Sequence, residues 1–150
     1  AAGGPIAVDP ADYPSVTPEL MDQIEVPIVL LGETTNGSSS GGMMGQACAP
    51  AEDNFQQYYT HATGPALEIE VIGANHMSFL DNPNCGLLCS VCPAGTDDTD
   101  TTRLLMRRYM TAFFGVYLKG DEAYQTYLTG TAMAADVDAG LVLSESKNGL

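Results

Sequence analysis

The sequence predicts an α/β domain built on a parallel sheet, and three observations carry that prediction. Residues 26–31, VPIVLL, are continuously apolar and branched, as in a strand covered on both faces. Leu67, Ile69 and Val71 alternate with Glu68 and Glu70, the pattern of a strand with one wetter face. Segments of helical period lie between and after these strands, the longest over 103–119.

Taken in order, Pro5-Ile6-Ala7-Val8 reads as a first short strand. Asp9-Pro10 closes it, because proline cannot continue a central strand. Pro18 to Ile24 reads as one or two helical turns, with Thr17 as cap and Pro18 at the first helical position. VPIVLL follows, and Gly32 ends it. Residues 33–50 form a long loop rich in Gly, Ser and Thr. Glu52 to His61 reads as a helix with Phe55, Tyr58 and Tyr59 on one face, stopped by Gly64-Pro65. The 67–71 strand leads into a turn holding His76, then a cysteine-bearing loop over 82–100. In 103–119, Leu105, Tyr109, Phe113 and Tyr117 recur every four residues. Leu104, Met106, Met110, Phe114 and Val116 widen this stripe, which is read as core. Asp98 and Asp100 precede the positive end of the helix, and Lys119-Gly120 closes the negative end. After Gly130 the chain becomes small and polar. The expected division is one domain over 1–130 and a tail over 131–150, in which AGLVL can add a short strand. About three parallel strands make a thin sheet, so they are expected to complete a larger one.

The 150 residues suffice for one domain with a core. With 5 Lys+Arg against 19 Asp+Glu, the formal net charge is −14. Nucleic acid and anionic membranes are repelled by such a surface. No apolar run approaches the ~20 residues of a membrane span. AAGGPIAVDP has neither a basic region nor a long apolar stretch, so it is no intact signal peptide. Cys48, Cys85, Cys89 and Cys92 are an even number in an acidic, lysine-poor chain. That fits disulfides and a secreted or periplasmic setting, with the pairing open. The competing use is a four-cysteine metal site, which the C-x3-C-x2-C spacing matches poorly. No cofactor is implied.

The candidate chemistry lies at the strand ends. Asp9, Glu33 and His76 each follow an apolar strand. In a parallel sheet those ends share one rim, where open α/β sheets place ligands. A carboxylate that accepts from one imidazole nitrogen leaves the other nitrogen as a base. These are two members of a hydrolytic triad. The third, a serine on a G-x-S-x-G elbow, is expected upstream of residue 1. One such motif is present, around Ser39 in Gly37–Gly41, but no strand runs straight into it and glycines follow it. It reads as a flexible loop. His61 suits the negative end of its helix. Asp81 reads as a turn residue or a support for His76. Asp97–Asp100 lack EF-hand spacing and read as a solvated loop before the long helix.

Several segments, in this order, resemble the C-terminal half of an α/β-hydrolase, and specifically the chlorophyllases and neighbouring esterases. The neighbours include platelet-activating-factor acetylhydrolases and polyester hydrolases. AVDP at 7–10 resembles the stretch after the sixth strand, and VPIVLLG the seventh strand. CAPAEDNFQQYY resembles the chlorophyllase "CAP…N…F" stretch. IGANHMSFLD is similar to the catalytic-histidine segment after the eighth strand. C-x2-C and then AFFGVYLKGD resemble the closing helix, so the likeness runs from about residue 5 to about 128. The resemblance implies His76 as base and Asp9 as acid. Glu33 is the alternative acid, since many α/β-hydrolases place it after the seventh strand. It also implies that the serine and the oxyanion donors lie in an N-terminal half, on a separate chain or an upstream segment. A small ester or polyester would be the substrate, and residues 1–150 alone would be inactive. By their position, Met77, Phe79 and the 33–50 loop are expected to line an apolar pocket for it. Two other functions compete: a non-catalytic α/β module that binds a partner protein, and a metal-binding domain built on the cysteines.

Overall fold

The computed structural model describes residues 18–35, 37, 48–51, 53–81 and 92–150. The expected strand at 5–8, Asp9, Ser39, Cys85 and Cys89 lie outside the described residues.

The sheet has three strands in the order β1 (Ile28–Glu33), β2 (Ala66–Val71), β3 (Val142–Lys147). β1 and β2 are parallel, with Glu33 opposite Val71, so their carboxyl ends share a rim as expected. β3, the strand for which the sequence set no direction, makes the sheet mixed: it pairs antiparallel to β2, with Val71 opposite Val142. The path of the chain explains this. Helix α2 (Thr99–Lys119) starts near the rim, where Gly73 accepts from the amides of Thr96 and Asp97. A 3₁₀ turn, Glu122–Tyr127, reverses the chain, and α3 (Thr131–Asp138) returns it. Leu141 arrives back at the rim, its carbonyl accepting from Ile72, so β3 can only run away from the rim. Residues 131–150, expected as a tail with a short strand, therefore supply a helix and the third strand.

The two faces of the sheet are covered differently. On one, Leu67, Ile69, Val71 and Val142 pack with Leu105, Tyr109, Ala112 and Phe113 of α2. Leu128 and Met133 complete that cluster. α2 follows its aromatic stripe, but Leu104 and Phe114, expected to widen it, are exposed. It begins four residues earlier than expected because the Asp98 side chain caps it, accepting from the Thr101 amide. The other face is smaller. Leu30 packs with Met21 of the 3₁₀ turn Pro18–Gln23 and with Phe55 and Tyr58 of α1 (Phe55–His61). Asn54 caps α1, accepting from Gln56. Gly32 is required here: a Cβ at this position would lie 2.1 Å from the Phe55 ring.

Candidate active site

The rim is assembled by short-range chemistry at the ends of β1 and β2. After Val71 the chain turns at Gly73, whose φ of +77° favours glycine. The amide of Gly73 donates to Thr34 Oγ1 at 2.9 Å, joining the turns that follow the two parallel strands. Ala74 is fully buried beneath them.

Asn75 then builds the turn that holds His76. Its Oδ1 accepts from the amides of Met77 and Ser78, both at 2.9 Å. Its own amide donates to Ser78 Oγ at 3.0 Å. Its Nδ2 donates to the Pro93 carbonyl at 2.7 Å, so the turn is fastened to the segment after Cys92. Ser78 Oγ lies 3.0 Å from Asp97 Oδ1, to which it donates. Asp97 Oδ2 in turn accepts from Thr102 Oγ1 in the first turn of α2. The disulfide Cys48–Cys92, with Cα atoms 5.6 Å apart, ties the same segment to residues 48–51.

His76 sits half-buried in this turn. Burial holds its pKa below the usual histidine value, because an imidazolium loses solvation there. Near neutral pH the ring is therefore neutral, the form that accepts a proton. Met77 is half-buried next in the chain, and Phe79 packs against the main core. Phe79 thus has a packing role, whatever it does for a ligand. Glu33 is buried at the carboxyl end of β1, where its Oε2 accepts from the Thr35 amide at 3.2 Å. Glu33 ends β1 and His76 follows β2, and the turns after these two strands are joined by the bond from Gly73 to Thr34. Asp81 is exposed, and its carbonyl, with that of Leu80, is held by Arg103. His61 lies in the last turn of α1, as expected.

Asp97 corrects the reading of 97–100 as merely solvated. It links the histidine turn to α2, while Asp98 caps the helix and Asp100 pairs with Arg103. The local signal for half of this network was present, since an Asn three residues before a Ser favours such a turn. Asp97, 19 residues beyond Ser78, carried no local signal. The disulfide takes Cys48 and Cys92 away from any four-cysteine metal site. Among the described residues, no group of three His, Cys, Asp or Glu side chains is arranged to hold a metal ion.

The sequence profile of the chlorophyllase family matches residues 10–139. The chain belongs to the chlorophyllase family. The match takes in β1, the His76 turn and all of α2 and α3, and it begins one residue after Asp9. Comparisons with curated proteins and with solved structures found no match. Membership of the chlorophyllase family implies ester hydrolysis as the general chemistry and is compatible with the mixed sheet and flanking helices. No helix among the described residues is long and apolar enough to cross a membrane.

Proposed function

We propose that this chain supplies the base and the acid of a serine carboxylic-ester hydrolase. The observation that carries the reading is His76: a half-buried imidazole in a fastened turn beyond the carboxyl ends of two parallel strands. His76 takes the proton of a serine hydroxyl as the serine attacks the ester carbonyl. It then returns that proton to the departing alcohol oxygen. A water repeats the sequence on the acyl-enzyme. The acid accepts from the second ring nitrogen, fixing the tautomer and stabilising the imidazolium that forms. Asp9 takes that role. Glu33 is a second reading, favoured by its burial at the rim and its place inside the matched span.

The serine and the oxyanion donors come from an N-terminal half of the same fold, carrying strand, G-x-S-x-G and helix. Two observations support a neighbour there. Among the described residues β1 pairs on one side only. Its other edge is wrapped by an apolar groove lined by Pro27, Leu31, Phe55, Met110, Phe113 and Phe114. Such an edge invites a strand. The substrate is a small ester or a polyester, with Met77 beside the reacting centre. The disulfide suits a secreted or periplasmic enzyme.

The test uses the protein expressed from its full coding sequence and a p-nitrophenyl ester of a short acid. His76→Ala is expected to lower kcat about 10³-fold or more. Because burial lowers the His76 pKa, kcat/KM should rise with pH through a midpoint below histidine's usual ~6.5. Asp9→Asn and Glu33→Gln decide the acid, since only the true partner should approach the His76→Ala loss. Robust hydrolysis by residues 1–150 alone would remove the N-terminal half from the reading and return Ser39 as nucleophile.

A further inference from the structure

We infer that Asp97 is a positioning residue for His76, acting through Ser78 and Asn75. The inference rests on the hydrolase reading for its catalytic consequence, but its geometry stands by itself. His76 is one residue after Asn75 and two before Ser78, and both flanking side chains are fixed from outside the turn. Four hydrogen bonds close the turn on itself: the Met77 and Ser78 amides to Asn75 Oδ1, the Ser78 amide to the Asn75 carbonyl, and the Asn75 amide to Ser78 Oγ. Ser78 Oγ also lies 3.0 Å from Asn75 Oδ1, which shares the one hydroxyl proton with Asp97. These set the shape of the turn. Two outward bonds from its side chains fasten it to neighbouring segments, Asn75 Nδ2 to the Pro93 carbonyl and Ser78 Oγ to Asp97 Oδ1.

Asp97 is well placed to hold that second anchor. Its other oxygen is occupied by Thr102, a nearly fully buried residue in the first turn of the longest helix. Its own amide, with that of Thr96, donates to the Gly73 carbonyl just before the turn. The contact is close: a Cβ on Gly95 would lie 2.5 Å from Asp97 Oδ1 and 2.7 Å from the Gly73 carbonyl oxygen. A bond from a hydroxyl to a carboxylate is charge-assisted and about twice as strong as a neutral one. Asp97 therefore transmits the rigidity of α2 to the backbone on either side of His76. A base displaced by about 1 Å costs catalysis up to about 10²-fold, so this rigidity has a kinetic consequence.

The experiment uses the protein from its full coding sequence, with the His76 ring resonances assigned by their loss in His76→Ala. Asp97→Asn replaces the charged acceptor with a neutral one, and Ser78→Ala removes the donor together with the acceptor of the Asn75 amide. Both are expected to lower kcat about 10-fold or more, leave KM within about twofold, and split or broaden the His76 resonances. Asp121→Ala is the matched control. It removes a capping carboxylate of the same kind, at the 3₁₀ turn after α2, and touches neither the His76 turn nor the first turn of α2. It should leave the His76 resonances and kcat unchanged. Unaltered His76 resonances in Asp97→Asn and Ser78→Ala, or equal effects from Asp121→Ala, would overturn the inference. If His76→Ala keeps full activity, the hydrolase reading fails, and the resonances still decide whether Asp97 positions the ring.

Discussion

The two faces of β2 have the same length and different chemistry. One puts Leu67, Ile69 and Val71 into a cluster of eleven buried residues, shared with Ala74 and with residues of α2, α3, β3 and their connections. The other presents Ala66, Glu68 and Glu70 to α1 and a cluster of four. Glu68 is only 7 % exposed, although alternation assigns it to a wetter face. Glu145 of β3 lies directly opposite it, and Glu70 lies two residues along the same face. Burial, then the charges of Glu70 and Glu145 and a hydrogen bond to Glu70, push the Glu68 carboxyl up to about 7, against a lowering by Lys147. One face thus stabilises the fold by dry packing at any pH. The other makes stability depend on protonation.

The largest expected effect tests the dry face. Ile69→Ala removes a fully buried side chain where α2 meets the sheet. It should cost about 2–5 kcal/mol in denaturant unfolding. Leu30→Ala, in the smaller cluster, should fall at the low end of that range because its surroundings collapse more easily. Equal costs would mean that the faces differ in composition only.

A smaller effect tests the wet face. The folded pKa of Glu68 is raised above its unfolded value. Its contribution is therefore fully present below about pH 4.5 and is lost as pH rises through about 7. Glu68→Gln abolishes that titration. The variant should match the parent near pH 4.5 and exceed it at pH 8, by up to about 3 kcal/mol. Unfolding curves at the two pH values measure the difference. A variant no more stable than the parent at pH 8 would mean that water or Lys147 fully compensates the charge.

The same contrast shows what the sequence carried. Period-two alternation over 67–71 and the four-residue stripe of 105, 109, 113 and 117 were legible, because each reports burial within a single element. The burial of Glu68 was not, because it depends on α1 and β3 covering that face. The direction of β3 was equally hidden: Leu-Val-Leu marks a strand, but only the return path through α3 sets its orientation. α3 itself, TAMAADVD, has too little apolar contrast to announce a helix. It is held by Tyr109 donating to Asp136 at 2.7 Å and by Arg108, again through distant partners. At the candidate site, the turn that holds His76 was legible because a glycine followed an apolar strand. Asp97 was invisible, since a carboxylate beside other carboxylates looks solvated until Ser78 and Thr102 are placed against it.

The smallest effect concerns Lys147, which belongs to the wet face and opposes its acids. Its ammonium donates to the carbonyls of Tyr59 and Thr60 in the last turn of α1 and lies 4.5 Å from the centre of the Tyr59 ring. A cation at a helix C-terminus is worth about 0.3–1 kcal/mol, and a cation over an exposed ring a similar amount. Lys147→Met keeps the apolar stem and loses the charge. Stability at pH 5, where Glu68 is protonated, should fall by about 1 kcal/mol. At pH 8 the loss should be greater, because Lys147 then no longer offsets the ionised Glu68. In the Glu68→Gln background, much of that extra loss at pH 8 should disappear. If Lys147→Met costs the same at both pH values, the lysine acts only as a cap for α1, and the pH dependence of this face belongs to its carboxylates alone.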